Sequence, residues 1–145
     1  MKGGVDVGAD EAHSCTALDD AAIRNLIARI AQLADTGDVE DYINCFTVDA
    51  CWDMPEASAR GHVEIRRGSA ARRAAGKTGP GSATRHAVDT IAVDVDGARA
   101  RATSYFQFFV ATQTAPRLQL MGQYDDEFVR IPEGWRVAHR RITLG

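Results

Sequence analysis

The segment IAVDVDGARARATSYFQFF, residues 91–109, decides the fold class of this chain. Its first part alternates apolar residues with small or acidic ones, which is the period of a half-buried β-strand. Asp96-Gly97 then predicts a tight hairpin turn in which both central residues adopt positive φ. Because the alternation resumes after the turn, the segment predicts two long antiparallel strands joined by a hairpin.

The antiparallel pattern continues to the end of the chain. A third strand is predicted at about 117–131 and a last strand at about 135–144, separated by the turn at 132–134. These strands are longer than usual, and long strands must coil. A coiled sheet that is covered by helices leaves a concave cavity, so the pattern predicts room for a ligand.

The first half of the chain has helical rather than strand periodicity. Thr16 and Asp19 have the spacing of a capping box, apolar residues recur at helical spacing after it, and Gly37 supplies a stop. Helices are therefore predicted at 17–36, 39–46 and 61–75, with a short strand at 50–54 that Pro55 ends. Helices segregated from antiparallel strands indicate the α+β class, with the helices on one face of a curved sheet.

Length and charge narrow the possible partners. The chain has 145 residues, which fits one domain, here expected at 16–145 after a mobile tail at 1–15. A net charge of -3 favours neither nucleic acid nor an anionic membrane as a partner. The three cysteines match no metal or redox spacing, and no apolar run approaches the ~20 residues of a membrane span. A reduced, cytoplasmic setting is the simplest expectation.

Several segments together resemble the SnoaL-like family of the nuclear-transport-factor-2-like superfamily. They lie at residues 22–38, 46–50, 60–66, 84–86, 93–97, 122–130 and 134–136. The resemblance implies a cone-shaped half-barrel, made of a long curved antiparallel sheet with about three N-terminal helices on its concave side. It also implies a pocket inside the cone, no cofactor, and a homodimer or homotrimer formed through the open face of the sheet, with the strand at 105–109 as a natural contact.

The resemblance also implies candidate catalytic residues. The family is similar to scytalone dehydratase, hexachlorocyclohexane dehydrochlorinase, bile-acid dehydratase, ketosteroid isomerase and polyketide cyclases. Its dehydratase-type members use an Asp–His pair, which here matches Asp35 at the end of the first helix and His86 at the start of the first long strand. An arginine of the last strand matches Arg140. Ile30 departs from the pattern, because these enzymes often carry a proton-donating tyrosine or lysine there.

The chemistry of the pair suits proton transfer. Histidine can accept a proton near neutral pH, and an aspartate bonded to one ring nitrogen sets the tautomer and stabilises the imidazolium. The alternative is a structural histidine bonded to the backbone and an aspartate at a helix end. Helical periodicity does not settle the choice, since Asp35 lies more than about 100° from the centre of the apolar stripe. Arg140 could stabilise an enolate or a leaving group, or be solvated or paired with a carboxylate at 125–127.

Aromatic and apolar residues of the strands supply candidate substrate contacts beside Arg140. They are Trp52, Tyr105, Phe108, Met121 and Tyr124, and the alternative for each is a place in the core. The four histidines show no metal-ligand spacing, so neither a metal nor a cofactor is predicted. Gly76-Lys77-Thr78 ends like a phosphate-binding loop, but the first glycine of that motif is missing and a helix precedes it.

The predicted function is that of a cofactor-independent lyase or isomerase. It would catalyse a dehydratase-like elimination or a double-bond shift on a small hydrophobic or polycyclic molecule, with His86 as general base oriented by Asp35. Polyketide cyclisation and epoxide opening are related options. The alternatives are a non-catalytic ligand-binding or dimerisation module, and a small subunit of a ring-hydroxylating oxygenase. Fold and residue pair do not name a substrate.

Overall fold

Three helices and six strands make up the part of the chain that the structure describes. The structure is a computed structural model; it describes the backbone of residues 7–145 and the side chains of residues 15–145. The elements in chain order are α1 (Val7–Thr36), α2 (Val39–Ile43), β1 (Phe46–Met54), β2 (Ala57–Arg60), α3 (Gly61–Ala74), β3 (Arg85–Asp96), β4 (Arg99–Val110), β5 (Arg117–Ile131) and β6 (Gly134–Leu144). The predicted α+β class is confirmed.

The strands form one curved sheet in the order β2-β1-β6-β5-β4-β3. The pairs from β3 to β6 are antiparallel, as predicted, but β1 runs parallel to β6. The sheet is therefore mixed rather than wholly antiparallel. No hairpin joins β1 to β6, and α3 with the long meander separates them in sequence, so strand periodicity carries no information on their relative direction. The four-residue strand β2, which pairs with β1, is too short for a periodic signal.

The turn between β3 and β4 lies one residue later than predicted. Asp96 pairs with Arg99, so the two central residues are Gly97 and Ala98. Only Gly97 has a positive φ, 60°. The expectation of two residues with positive φ is therefore wrong, and the turn has the one-glycine pattern of the type II′ hairpin.

Helix α1 begins at Val7, ten residues before the predicted start. Thr16 and Asp19 therefore lie inside the helix and do not cap it. The Asp19 carboxylate instead accepts a hydrogen bond from Trp135 Nε1 at 2.9 Å and one from Arg130 Nη1 at 3.0 Å. The tail predicted at 1–15 overlaps the first turns of this helix, and residues 1–6 lie outside the described residues.

The core lies between the helices and one face of the sheet. Helix α1 contributes Ile23, Ile27 and Ile30, each at most 1% exposed. Strand alternation sends every second residue of β4 toward the helices, from Ala100 to Phe108. The opposite face carries mostly polar side chains. The inward face of β4 thus forms both the core and, toward Phe108, the wall of a cavity.

Two glycines should respond in opposite ways to replacement by alanine. A Cβ on Gly122 of β5 would overlap the Thr143 carbonyl oxygen and the Phe106 ring, so Gly122→Ala should destabilise the protein by about 1–3 kcal/mol. Gly68 lies within α3, where a Cβ would meet only Arg72 Nη1 at 3.3 Å. Gly68→Ala should be neutral or stabilising by up to about 1 kcal/mol, since glycine is a poor helix residue. Urea unfolding of both variants measures this; an unchanged stability of Gly122→Ala would contradict the packing described.

Candidate functional site

A cavity of about 850 Å³ lies between the helices and the inward face of the sheet. This volume is typical of pockets that bind small molecules. Its walls are mainly apolar and aromatic, and the side chains Ile30, Trp52, Phe106, Phe108, Leu120 and Ile142 line it. The curvature that the long strands were expected to produce thus leaves space for a ligand.

The structure brings Asp35 and His86 together at this cavity. Asp35 Oδ1 lies 2.7 Å from His86 Nδ1, and Asp35 Oδ2 accepts a hydrogen bond of 2.9 Å from the His86 backbone N–H. Asp35 is 4% exposed, and the His86 ring packs on Phe108 with ring centroids 4.6 Å apart. A buried carboxylate therefore holds both the backbone and the imidazole of one residue.

The arrangement assigns different roles to the two ring nitrogens of His86. A carboxylate accepts hydrogen bonds, so its contact with Nδ1 favours the tautomer that carries its proton there. The Nε2 atom is then unprotonated and has no hydrogen bond to any described residue, while the side chain lines the cavity. An imidazole oriented in this way can accept a proton from a bound molecule.

Asp35 reaches the site because α1 packs along β3. It lies in the last turn of the helix, on the flank that periodicity left undecided, and β3 begins directly beside it. Ala31 of the same flank and Ala34 of the apolar stripe both line the cavity, and their small side chains leave space for a ligand next to the strand. Asp35 does lie at a helix end, as the structural alternative had it, but its carboxylate binds the imidazole of His86 as well as the backbone N–H of the same residue.

Arg140 is buried and paired, which agrees with one of the two alternatives for it. Its Nε and Nη2 atoms each donate a hydrogen bond of 2.8 Å to the carboxylate of Asp126, its cross-strand neighbour on β5. Its guanidinium carbon lies 3.9 Å from the Tyr124 ring centroid. Burial alone would lower the pKa of Arg140, but the Asp126 carboxylate outweighs it and raises this pKa. The arginine therefore stays charged beside the cavity that it lines.

Two tyrosines supply further polar groups to the cavity wall. Tyr42 of α2 and Tyr124 of β5 both line the cavity, and the described residues offer neither hydroxyl a hydrogen bond. Burial raises the pKa of both phenols, so they remain protonated donors at neutral pH. Tyr42 is not predictable as a site residue from the sequence, because nothing in a five-residue helix marks one residue as facing a ligand.

The other residues predicted to contact a substrate lie on both faces of the sheet, and only those on one face line the cavity. Trp52, Phe108 and Tyr124 line the cavity. Tyr105 and Met121 are 47% and 45% exposed on the opposite face, so their prediction as pocket residues is corrected. The strand at 105–109 is likewise not uniformly exposed, since Phe106 and Phe108 point inward. Alternation shows which residues share a face but not which face is concave.

Polar residues without any motif also line the cavity and were missed. They are Ser69, Arg72, Lys77, Thr78, Ser82, Thr84 and Gln119. The described residues include no group of three or more histidine, cysteine or acidic side chains able to hold a metal ion. None of the described helices is long and apolar enough to span a bilayer.

A second Asp–His pair lies on the outer face of the sheet. Asp53 Oδ2 is 2.7 Å from His139 Nε2, and Arg60 Nη1 donates to Asp53 Oδ1 at 2.7 Å. The hydrogen bond from Arg60, and to a lesser extent that from His139, outweigh burial and lower the pKa of Asp53 to about 2. His139 Nδ1 faces Glu127 at 3.5 Å. Neither member of this pair lines the cavity, so substitutions in it serve as controls for substitutions of Asp35 and His86.

Comparison with known proteins assigns the chain to a family. The SnoaL-like domain matches residues 16–141, which is most of the chain and includes both members of the cavity pair. The chain belongs to the SnoaL-like family. This family includes dehydratase- and cyclase-type enzymes. Among proteins with curated functions, none matches the chain.

Solved structures agree with this assignment. A nuclear-transport-factor-2-like protein with a cystatin-like fold from Novosphingobium aromaticivorans is 26% identical, with a TM-score of 0.85, covering 98% of this chain and 92% of its own. Rv3472 of Mycobacterium tuberculosis, whose function is unknown, is 24% identical with a TM-score of 0.81. The match covers 91% of this chain and 75% of Rv3472. A candidate scytalone dehydratase from N. aromaticivorans is 18% identical with a TM-score of 0.74. The match covers 92% of this chain and 88% of the other. At these identities the last two show the fold alone.

The tautomer of His86 should depend on Asp35 alone. In Asp35→Asn the carboxylate that holds the Nδ1 proton is lost, so the imidazole should shift toward the form protonated on Nε2. Two-bond ¹H–¹⁵N NMR spectra of the histidine rings measure this change. Asp53→Asn is the matched control and should alter the signals of His139 but not those of His86. Unchanged His86 nitrogen shifts in Asp35→Asn would contradict the hydrogen bond.

The buried ion pair should be sensitive to the loss of one partner. Asp126→Asn leaves a charged guanidinium unpaired in the interior and should destabilise the protein by about 3–5 kcal/mol. The double variant Asp126→Leu/Arg140→Met removes both charges and should lie much closer to the parent protein. Chemical denaturation compares them, and a double variant no more stable than Asp126→Asn would contradict the assignment.

Proposed function

We propose that the protein is a cofactor-independent lyase or isomerase acting on a small hydrophobic or polycyclic molecule. The observation that carries the proposal is the His86 imidazole, which lines a cavity of about 850 Å³ while a buried carboxylate holds its other ring nitrogen. Membership of a family with dehydratase- and cyclase-type enzymes supports the reaction class. The neighbour described as a candidate scytalone dehydratase is compatible with it.

The proposed step is removal of a proton from carbon by His86 Nε2. The electrons of the broken C–H bond form a C=C bond and expel a leaving group in an elimination, or move into an adjacent carbonyl in a double-bond shift. Asp35 stabilises the imidazolium that results. The imidazolium then returns its proton to a departing hydroxide as water, to solvent after the loss of a halide, or to the far carbon of the shifted double bond. His86 therefore acts first as the base and then as the acid. No second proton donor is needed from position 30, where Ile30 cannot donate a proton.

Developing negative charge on an oxygen has donors nearby. The hydroxyls of Tyr42 and Tyr124 and the guanidinium of Arg140 belong to the same cavity wall. The Phe106 ring lies between these donors and His86. The centroid of the Phe106 ring is 6.3 Å from the centroid of the His86 ring and 4.4 Å from the centroid of the Tyr124 ring. Donors in a site of low dielectric stabilise such charge more strongly than donors in water. A flat ring system that packs along Phe106 would therefore contact His86 on one side and the donors on the other.

The second candidate function is a non-catalytic binding or dimerisation module of the same fold. Ile30 favours it, because this apolar side chain lines the cavity where related enzymes carry a proton donor. The exposed Tyr105 and Met121 on the outer face of the sheet support assembly into a homodimer through that face. Asp35 would then serve only to hold α1 to β3.

A turnover screen with two histidine variants tests the proposal. Hydroxylated and halogenated cyclic compounds are incubated with the protein, and loss of water or halide, or a change in conjugation, is followed by absorbance. For any compound that is turned over, His86→Asn should lower kcat/KM by about 10²–10⁴, since it removes the base. His139→Asn, which removes the histidine of the outer pair, should not. Equal activity of His86→Asn and the parent protein would refute the role of His86, and binding without turnover across the panel would favour the module.

A further inference from the structure

Every charged side chain that lines the cavity, among the described residues, is basic. Arg72, Lys77 and Arg140 contribute to the wall together with His86, and no aspartate or glutamate does. The chain as a whole has 20 acidic and 17 basic residues, so this excess of positive charge is local to the cavity. A cavity lined by charge of one sign favours a ligand of the opposite sign.

Two of these three residues have no carboxylate partner among the described residues. The charge of Arg140 is balanced by the bidentate contact with Asp126. By contrast, the ion pairs formed within the described part of the chain include neither Arg72 nor Lys77. Lys77 is exposed and Arg72 is half-buried, which places both at the mouth of the cavity rather than in its interior.

The end of α3 brings the two cations together. The Gly76 N–H bonds the Arg73 carbonyl at 3.0 Å, and the Lys77 N–H bonds the Arg72 carbonyl at 3.0 Å. Gly76 has φ of 70° between them. This is the Schellman pattern that ends many helices, with glycine in the left-handed position. The turn returns Lys77 to the level of Arg72, so that both side chains reach the same mouth.

Arg72 is also held in a position suited to binding an anion. Its guanidinium carbon lies 4.8 Å from the ring centroid of Trp52, which itself lines the cavity. Stacking on an aromatic ring uses the flat face of the guanidinium and leaves its N–H groups, which point outward in the plane, free to bind a carboxylate. The neighbouring Arg73 differs, because it donates to the carbonyl oxygens of Leu33 and Gly37 at 2.9 and 2.7 Å.

We propose that the molecule bound in this cavity carries a carboxylate, which lies at the mouth against Arg72 and Lys77 while its apolar ring body extends inward toward His86. The inference rests on the proposed function only in taking this cavity as the substrate site. It adds the substrate class, an aromatic or polycyclic carboxylic acid, and assigns Arg72 and Lys77 as residues that determine specificity and position.

A matched pair of probes tests the inference by binding alone. Anthracene-2-carboxylate and anthracene-2-carboxamide have nearly the same shape and differ in charge, and calorimetry gives their Kd values. The carboxylate should bind about tenfold more tightly or better at low salt, as expected for a charge-assisted hydrogen bond. The preference should shrink as salt screens the exposed mouth. Arg72→Gln/Lys77→Gln should abolish the preference, because it weakens binding of the carboxylate far more than binding of the carboxamide.

The control is Arg67→Gln/Arg99→Gln, which removes two exposed positive charges that do not line the cavity. It should retain the preference for the carboxylate. Equal binding of the two probes by the parent protein would overturn the inference, as would failure of both to bind or a preference that survives in Arg72→Gln/Lys77→Gln. The turnover test with His86→Asn is independent of these results, so the anion site and the catalytic proposal can each fail alone.

Discussion

The contact between Asp35 and His86 joins the architecture of this protein to its chemistry. One buried carboxylate accepts a hydrogen bond from a backbone N–H and another from the imidazole of the same residue. The first bond attaches the end of α1 to the start of β3, which sets how the longest helix lies across the sheet. The second orients the imidazole toward the cavity that this packing leaves open. The same interaction therefore holds the helix and orients the imidazole that we propose as the base.

The polar groups of the cavity differ in how far the protein itself satisfies them. The charge of Arg140 is balanced by Asp126, although its guanidinium remains part of the cavity wall. The phenols of Tyr42 and Tyr124, the Nε2 atom of His86 and the cations of the mouth have no hydrogen-bonding or ionic partner among the described residues. These groups are therefore the ones that the two proposals assign to a bound molecule.

The two Asp–His pairs show why residue type and distance alone do not define a site. Both have oxygen–nitrogen distances of 2.7 Å. On the outer face His139 lies between Asp53 and Glu127, and Arg60 binds the same Asp53 carboxylate, so the histidine is one member of a charge network. At the cavity, His86 has one carboxylate partner and aromatic neighbours, and its second nitrogen has none. The environment of the second nitrogen distinguishes a candidate base from a structural histidine.

The sequence by itself determined the types and order of the three helices and of five of the six strands. These follow from local chemistry, since periods of 3.6 and 2 and the turn residues act within a few positions of the chain. The candidate residues Asp35, His86 and Arg140 came instead from the resemblance to a family. Only the tertiary structure decided the parallel pairing of β1 with β6, the burial of Asp35, and the exposure of Tyr105 and Met121. It also decided that Tyr42, Arg72 and Lys77 face the cavity. The exposure of Tyr105 and Met121 depends on which face of the sheet the helices cover, and alternation along a strand is the same for either face. The other features depend on contacts between segments that are far apart in the sequence.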